Sequence, residues 1–472
     1  MLNERVPYKM IEKNADTLTP VGIYKRLQGK KKFLLESSFQ HETKGKYSYI
    51  GANPYEEIIG FGDKTKVINV ETKEEKVFQC NTLDYFKKYF RKIDIDIPLP
   101  FIGGAIGYVS YDAISQFVST GEELEDPLNM PDYHFMLYDT IIVYEHRTEK
   151  AHIIALNVQN LKEVELDERL TKINHELSTP INIAEPNLTP ITFSAQLKKE
   201  EFINRVQSAK RYIERGEAAQ IVLSQRMVAT FEEDPFSFYR ELRTRNPSPY
   251  MFYIDFTDYF ILGASPESLV QTNGRNVVTN PIAGTRRRGK TEAEDKVLEN
   301  DLLQDKKELT EHEMLVELSK RDLEKVCELQ SIHIPVLKDV VKYEHVMHIV
   351  SEVHGTLRED KSSFDALIAC LPAGTVSGLP KERAMQIINE LETEKRGVYA
   401  GGIGYISFNH DINLAIAIRS LIVKDGKAYL QTGAGIIDDS IPEKEYVETL
   451  QKAKSLTNIN GNTTSMKLRK GF

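Results

Sequence analysis

The chain of 472 residues contains no tryptophan, only three cysteines, and no run of about 18 apolar residues of the kind that spans a membrane. Cys80, Cys327 and Cys370 are far apart in sequence, which argues against a disulfide framework and against a thiolate zinc cluster. The net charge of −9 disfavours nucleic-acid binding, because an acidic chain repels phosphates. The first residues lack an apolar signal segment. These absences predict a cytoplasmic globular chain with no membrane or nucleic-acid partner.

A proline-rich stretch near the middle of the chain predicts a boundary. Pro180, Pro186 and Pro190 each remove a backbone donor and interrupt helix formation. We therefore expect an N-terminal domain over residues 1–185, a second domain over 190–458, and a flexible polar tail over 459–472.

The pattern of apolar residues indicates an α+β fold with antiparallel sheets. The first half alternates short strands and turns, and the second half mixes helices and strands without regular alternation. Residues 297–329 are predicted to be helical, in one or two pieces. Residues 414–423 are nearly all apolar and predict a single strand.

Two glutamates on a predicted helix share their stripe with leucines. Glu308, Glu311, Leu315 and Leu318 recur at helical spacing, so both carboxylates should point toward the interior. Burying two like charges is costly unless a cation compensates them. The alternative is a charged helix face in contact with solvent.

A second glutamate pair lies on the last predicted helix. Glu445 and Glu448 repeat the spacing, and Lys452 follows one turn later. Carboxylate pairs from two helices supply the hard oxygen ligands that Mg²⁺ prefers. For an isolated pair a solvated face is the more common explanation.

Other residues point to an anionic ligand. Arg419 lies in an apolar run, where its guanidinium must pair either with a bound carboxylate or with an internal acid. Glycine turns at 281–289, 372–378 and 433–435 could expose backbone N–H groups to an anion. His348 is either a catalytic histidine or a satisfied core residue. Together these features predict a site for a small dicarboxylate held partly through a metal.

Several segments occur in a characteristic order: PIAGTRRRG, KELTEHEMLVELSKRDL, YEHVMHIVSEVHG, LPAGTVSGLPKERAM, RGVYAGGIGY, AIAIRS, LQTGAGIIDDS and EKEYVET. Together they resemble the chorismate-utilising enzymes, most closely the anthranilate synthase component I branch, over residues 20–456. The resemblance implies antiparallel sheets packed as a sandwich core with helices outside. It also implies a lyase reaction in which chorismate and ammonia give 2-amino-2-deoxyisochorismate, and elimination of pyruvate then gives anthranilate.

The resemblance assigns roles to individual positions. Glu267 resembles the general acid for the departing ring hydroxyl, and His348 a histidine of the elimination step. The positions matched to catalysis are Gln220, Glu267, His348 and Thr375. Those matched to substrate contacts are Gly284, Thr285, Tyr399, Arg419, Gly433, Ala434, Gly435 and Lys452. Those matched to Mg²⁺ are Glu311 and Glu448, with Glu308 and Glu445 as further or water-mediated ligands.

Two positions separate this chain from sibling enzymes, and a third departs from the usual family sequence. Isochorismate and salicylate synthases carry a lysine base where this chain has Gln220, so a neutral amide favours ammonia over water as nucleophile. Many aminodeoxychorismate synthases carry a nucleophilic lysine where this chain has Ala283, so Ala283 argues against that folate-pathway activity. Because some of those enzymes lack the lysine, aminodeoxychorismate synthase stays the alternative. Leu379 departs from the usual GAPK sequence, and a larger side chain there could reshape the turn.

The N-terminal half resembles a tryptophan feedback site, in which an acid such as Glu36 would hold the ammonium group of L-tryptophan. The residues matched to this site are Glu36, Ser37, Tyr47, Ser48, Pro249, Tyr250, Met251, Ile403 and Tyr405. A plain structural strand pair, or a non-catalytic tryptophan-binding relative, is the alternative. The chain lacks a glutaminase motif, so ammonia should come from a glutamine amidotransferase subunit or from solution.

Overall fold

The computed structural model describes residues 5–37, 46–182, 184–186, 188–343 and 346–457. Its helices, numbered in chain order, are α1 (Pro20–Arg26), α2 (Thr82–Tyr89), α3 (Glu163–Ser178), α4 (Lys199–Glu214), α5 (Pro235–Arg245), α6 (Glu292–Gln304), α7 (Lys306–Glu324), α8 (Ser363–Cys370), α9 (Lys381–Leu391) and α10 (Pro442–Thr457). Within these ranges, no helix has both the length and the apolar character of a membrane span. The predicted tail, 459–472, lies outside the described residues.

The strands of the first half are β1 (Tyr8–Asn14), β2 (Phe33–Glu36), β3 (Tyr47–Gly51), β4 (Glu56–Phe61), β5 (Lys64–Asn69), β6 (Glu75–Phe78), β7 (Gly104–Val109), β8 (Tyr133–Tyr138), β9 (Thr140–Glu145) and β10 (Lys150–Leu156). Those of the second half are β11 (Ser194–Ala195), β12 (Gln220–Thr230), β13 (Tyr250–Asp255), β14 (Tyr259–Ser265), β15 (Ser268–Asn273), β16 (Asn276–Thr279), β17 (Ile282–Arg287), β18 (His333–Lys342), β19 (Val346–Thr356), β20 (Gly378–Leu379), β21 (Gly402–Ser407), β22 (Ile412–Ile416), β23 (Ser420–Lys424) and β24 (Lys427–Ile436).

The strands form two large antiparallel sheets. The first runs β1-β10-β9-β3-β2-β13-β14-β23-β24-β12-β11, with β20 also paired to β12. The second runs β17-β19-β16-β15-β22-β21-β7-β8-β4-β5-β6, with β18 also paired to β19. The predicted α+β class with antiparallel sheets is confirmed. Both sheets contain strands from both sides of residue 185, and the predicted boundary lies in the connection after α3.

The two sheets pack face to face, with helices on the outside. Along β2 the side chains alternate, so that Phe33 and Leu35 face the core between the sheets. Tyr108 of the second sheet packs into the same core. Leu34 instead joins the core beneath the outer helices, which includes Tyr239 of α5. This alternation gives the first sheet two buried faces.

The chain crosses between the sheets at two adjacent places. Strand β14 belongs to the first sheet and β15 to the second, and β22 and β23 cross in the opposite sense. The prediction of one strand over 414–423 is therefore wrong. The strand is interrupted at Ala417–Arg419, where Arg419 has φ of +48°, a left-handed conformation that a strand cannot contain. An apolar run cannot reveal this crossing, because both pieces are buried.

The long helical region predicted over 297–329 consists of two helices. Asp305 ends α6 and is also the N-cap of α7, where its side chain accepts hydrogen bonds from the backbone N–H groups of Lys307 and Glu308. This cap fixes where α7 begins, and therefore the direction in which its first-turn glutamate points.

Candidate active site

Glu267 lies in the first crossing, directly after β14. Its backbone carbonyl accepts a hydrogen bond of 3.0 Å from the N–H of Ile416 in the second crossing. Its carboxyl accepts a bond of 3.0 Å from the Thr375 hydroxyl. Burial raises the pKa of Glu267 to about 8, and Thr375, Arg419 and Lys452 offset only part of this shift. At neutral pH the carboxyl therefore keeps its proton and can act as an acid.

Arg419 lies beside Glu267 in the second crossing. Its backbone carbonyl accepts a bond of 3.0 Å from Ala264, which fixes the residue between the sheets. Burial lowers the pKa of Arg419, and the nearby Glu267 opposes that shift. Among the described residues none makes a hydrogen bond or ion pair to its guanidinium. The Arg419 guanidinium is therefore available to bind the carboxylate of a ligand. The sequence alone is equally compatible with pairing to an internal acid.

His348 is held on β19 in one tautomer. Its Nδ1 lies 2.8 Å from the carbonyl oxygen of Gly284 and 3.1 Å from the hydroxyl of Thr285. Because a carbonyl only accepts, Nδ1 carries the proton and Nε2 has a lone pair. Burial lowers the pKa of His348 to about 4, with a smaller contribution from Arg419. The imidazole is thus neutral at physiological pH and can accept a proton.

Gly284 makes this arrangement possible. The register between β17 and β19 shifts between Ala283 and Thr285, and Gly284 occupies the bulge with φ of +67°. A Cβ there would lie 2.9 Å from Leu302 Cδ1 and 3.3 Å from Glu308 Oε2. Only glycine combines this conformation with so close an approach, and the bulge turns its carbonyl toward the histidine.

Two further glycines let polar side chains lie against β24. A Cβ on Gly433 would be 2.8 Å from the hydroxyl of Tyr399, and a Cβ on Gly435 would be 2.7 Å from Nε2 of Gln220. The same Nε2 donates a bond of 3.3 Å to Glu311. Gln220 is therefore a buried, neutral group placed directly beside a carboxylate.

The residues around this strand differ in how they can serve a ligand. Ala434 packs into a core with α4 and α9, so only its backbone can contact a substrate. Lys452 donates a bond of 3.0 Å to the carbonyl of Gly433 and pairs with Glu448 at 2.9 Å. This lysine ties α10 to the strand that carries the glycines.

The first glutamate pair faces inward, as its leucine stripe predicts. Leu315 and Leu318 are buried with Ala283, and Glu308 and Glu311 continue their line toward the site. Burial raises the pKa of Glu308, and the charge of Glu311 raises it further. Arg286 and Lys307 offset only part of this rise in the pKa of Glu308.

The second pair lies on α10. Burial raises the pKa of Glu445, Glu448 adds to the shift, and Lys307 at the start of α7 opposes it. Lys307 also lowers the pKa of Glu308, so one lysine influences both pairs. Lys307 is therefore within electrostatic range of one carboxylate of each pair.

The donor set fits a hard divalent cation that keeps several waters. Each pair offers carboxylate oxygens, and the raised pKa values of Glu308 and Glu445 mark negative charge that a cation would stabilise. Within the described part of the chain, no three acidic, histidine or cysteine side chains converge as a ready metal cluster. Ligation by one or two carboxylates from each pair, completed by water, is the arrangement these residues allow.

Thr375 and Leu379 lie in the segment between α8 and α9. Thr375 is in a short 3-10 turn, Gly374–Val376, that brings its hydroxyl to Glu267. Leu379, which departs from the family sequence, packs against the small core formed by Ala283 and the α7 leucines. Its larger side chain thus fills space beside α7.

A cavity of about 640 Å³ lies between the two sheets at the end of β2. The residues matched to a tryptophan site that line it are Glu36, Ser37, Tyr47, Pro249, Tyr250, Met251, Ile403 and Tyr405. Tyr49 and Tyr405 meet edge to face at 5.6 Å. An aromatic, partly polar space of this size suits a flat amphipathic ligand.

Glu36 lines this cavity, but its carboxylate has partners on the other face of the sheet. Tyr239 donates to it at 2.7 Å, and Arg243 forms two bonds of 2.9 Å, both from α5. A direct contact with a ligand's ammonium group would have to compete with these partners. Ser48 does not line the cavity and instead bonds His146 at 2.8 Å.

Sequence reasoning missed several polar residues of the cavity. These are Gln271, Asn273, Asn409, Asp411 and Asn413. They lie in β15, β22 and the turns beside them, and no local pattern links strands that pair only in the fold. The sequence does predict Tyr49 as a cavity residue, because it lies two positions after Tyr47 and so on the same face of β3.

Comparison with known proteins identifies relatives along almost the whole chain. The family model described as chorismate binding enzyme matches residues 30–458. Anthranilate synthase component 1 of Lactococcus lactis is 43% identical over 458 residues, covering 96% of this chain and 99% of that protein. The protein of the same name from Acetivibrio thermocellus is also 43% identical, covering 96% and 94%.

Solved structures show the same similarity. The crystal structure of anthranilate synthase component I from Streptococcus pneumoniae superposes with a TM-score of 0.82 at 41% identity, covering 94% of this chain and 98% of that one. The menaquinone-specific isochorismate synthase of Escherichia coli shares the fold with a TM-score of 0.69 at 18% identity, covering 96% and 95%.

Proposed function

We propose, since the chain belongs to the family of chorismate-binding enzymes, that it converts chorismate and ammonia to anthranilate and pyruvate. The observation that carries the proposal is a pair of titratable groups whose pKa values are shifted in opposite directions. Burial holds the pKa of Glu267 at about 8 and that of His348 at about 4. Arg419 is within electrostatic range of both groups. A carboxylic acid and a neutral imidazole are the acid and base that the two half-reactions need.

Glu267 supplies the acid for the first half-reaction. Hydroxide is a poor leaving group, so the ring hydroxyl must gain a proton as its carbon–oxygen bond breaks. Thr375 orients the carboxyl, and Arg419 binds a carboxylate of the substrate next to it. His348 then accepts the ring proton through Nε2 as the bond between the ring and the enolpyruvyl oxygen breaks, and the methylene carbon of the released fragment takes up a proton to become the methyl group of pyruvate.

Gln220 favours ammonia as the nucleophile. An amide cannot take a proton from water, whereas ammonia attacks without a base. The side chain is buried and its Nε2 donates a hydrogen bond to Glu311, so the group at this position is a neutral donor and not a base. We propose that the ammonia comes from a glutamine amidotransferase subunit.

Glu311 and Glu448, with Glu308 and Glu445, are the residues that we expect to hold Mg²⁺. When bound, the ion would neutralise the ring carboxylate of the substrate and fix its position. Gln220 and Lys452 orient Glu311 and Glu448, respectively, by direct contacts.

The test is to incubate the purified chain with chorismate, Mg²⁺ and ammonium. We expect fluorescent anthranilate and one pyruvate per turnover. A 4-amino product without pyruvate would instead identify the folate-pathway alternative, aminodeoxychorismate synthase. Ala283 opposes that alternative, because it cannot form the covalent adduct that a lysine at this position forms.

We further propose that L-tryptophan binds in the cavity between the sheets and inhibits the enzyme. The cavity is close to the acid along the backbone: Tyr250 pairs with Ser265, whose hydroxyl donates 2.7 Å to the carbonyl of Ile416, the residue bonded to Glu267. A ligand that shifts β13 would therefore move the crossing. Tryptophan binding without any chorismate turnover would instead indicate a non-catalytic relative.

A further inference from the structure

A second, much smaller cavity of about 30 Å³ lies next to Glu267. Glu267 and Thr375 line one side of it, and Ser319 and Asp322 of α7 line another. Apolar walls come from Leu315, Leu318 and Leu269. The mechanism proposed above does not use this space.

Its remaining wall carries three polar atoms that have no partner among the described residues. They are the hydroxyls of Ser268 and Thr279 and the side-chain carbonyl of Asn280. All three residues are buried, at 5%, 6% and 2% exposed. A buried polar atom without a hydrogen bond costs free energy, so three around one small cavity indicate a polar ligand.

The size of the cavity restricts what that ligand can be. A water molecule needs at least about 10–15 Å³ of such volume and two to four polar partners. A volume of about 30 Å³ with these three atoms meets both conditions for one or two waters, and it excludes any larger molecule.

One residue in the wall of the cavity is paired with a surface lysine. Asp322 lines the cavity, accepts a bond from the buried Lys381 at 2.5 Å, and accepts another at 3.3 Å from Lys325. The Lys325 side chain is 51% exposed, so one ion pair connects Asp322 in the cavity wall with the protein surface. Glu267 lines the same cavity.

We propose that this cavity is a binding site for one or two water molecules through which Glu267 regains its proton after each turnover. The role for Glu267 rests on the proposed function. As the carbon–nitrogen bond forms and the ring carbon–oxygen bond breaks, the oxygen keeps the bonding pair, takes the proton of Glu267 and departs as water, and the new ammonium group releases its extra proton to solvent. The carboxylate then takes a proton from a cavity water, which takes one in turn from bulk solvent on the Asp322 side.

The groups that face Glu267 do not provide another route. The Thr375 hydroxyl donates a hydrogen bond to the carboxyl, and Arg419 and Lys452 are cations that act on it through space. Tyr343 also lies within electrostatic range, but burial raises its pKa far above neutral. The water site is therefore the path that can deliver a proton from solvent while substrate covers the front of the acid.

The first test is a crystal structure of the full chain at a resolution that shows ordered water. We expect density bonded to at least two of the three atoms of Ser268, Thr279 and Asn280. A dry cavity, or closure of the wall by rotated side chains that pair with protein, overturns the proposal. This readout does not depend on the activity, so it stands even if chorismate is not the substrate.

The second test combines Thr279→Val with Ser268→Ala, which keeps the shape of the wall but removes two hydroxyls. We expect turnover to fall about tenfold, with a larger solvent deuterium isotope effect and a KM for chorismate within about twofold. Thr244→Val is the control, because its hydroxyl bonds the Arg240 carbonyl on an exposed helix face.

If the double variant does not fold, the single Thr279→Val variant serves the same purpose. A normal turnover and an unchanged isotope effect in a folded variant overturn the relay. Loss of the crystallographic water in that variant, together with slower turnover, supports it.

Discussion

Glu267 and Arg419 lie where the chain passes between the sheets, and their properties follow from that position. A crossing buries a residue without placing it in a regular strand, so its side chain faces a space that neither sheet fills. Burial then raises the pKa of the acid to about 8, and the guanidinium has no hydrogen-bond or ion-pair partner in the part of the chain that the structure describes. Neither property can be predicted from composition, because both depend on the fold around the crossing.

Activity should decrease as pH rises through about 8, because Glu267 then loses the proton it donates. The measurement is the pH dependence of kcat. Glu267→Gln should lower kcat by about 10²- to 10⁴-fold at neutral pH. A Gln variant with near-normal kcat would show that another group is the acid.

The same group links stability to pH. The pKa of Glu267 in the folded state lies above its ordinary value of 4.5, so the folded chain holds a proton that the unfolded chain lacks between about 4.5 and 8. Its contribution is present below that window and is lost as pH rises through it. Urea unfolding should therefore show a smaller decrease in stability from pH 5 to 8 for Glu267→Gln than for the wild type.

Glu311→Gln or Glu448→Gln should raise the Mg²⁺ concentration for half-maximal activity by at least roughly tenfold, because each removes a charged ligand. Titration of activity with Mg²⁺ measures this. Glu324→Gln is the matched control, since that side chain is exposed at the end of α7. Near-normal activity of the ligand variants at low Mg²⁺ would contradict the assignment.

At the scale of elements, local sequence patterns predict the type of secondary structure of a segment better than its boundaries. The spacing of Glu308 and Glu311 relative to the leucines predicts the helix face on which their side chains lie, because helix periodicity is a local property. The apolar run over residues 414–423 predicts one strand, but these residues belong to two strands, β22 and β23. The break at Arg419 depends on which sheet receives each half, and that information is not local.

The contact between β2 and α5 leads us to expect an effect of both elements on inhibition by tryptophan. Because the carboxylate of Glu36 is bound by Tyr239 and Arg243, we expect it to hold the end of β2 in place. Glu36→Ala and Arg243→Ala should then both weaken inhibition by tryptophan while leaving uninhibited turnover within about twofold. Glu36→Ala should also lower stability by about 1–3 kcal/mol, since it leaves two donors unpaired.

Inhibition curves and urea unfolding measure these effects. Full inhibition in Arg243→Ala, with none in Glu36→Ala, would instead mean that the carboxylate binds the ligand's ammonium group directly, as the resemblance implies.

At the scale of the whole molecule, the two halves share both sheets. Strand β2 lies between β3 and β13, and β7 lies between β21 and β8. The α+β class and the antiparallel sheets could be predicted from the order of elements. The sharing could not, because strands adjacent in space are more than two hundred residues apart in sequence.

This sharing predicts that residues 190–458 do not fold alone. Removal of the first half would expose the edges of β13 and β21 and half of the core between the sheets. The isolated segment should lack a cooperative thermal transition and near-UV circular dichroism. A cooperative transition with retained turnover would contradict this and would support two independent domains.

The cavity between the sheets is lined by Tyr47, Tyr49, Tyr250 and Tyr405, in a chain that contains no tryptophan. A bound tryptophan would be the sole indole in the complex. Light too long in wavelength to excite tyrosine would then excite the ligand alone, and energy absorbed by the surrounding tyrosines would pass to it. The inhibitor would thus report its own binding by its emission, without a label or a protein background.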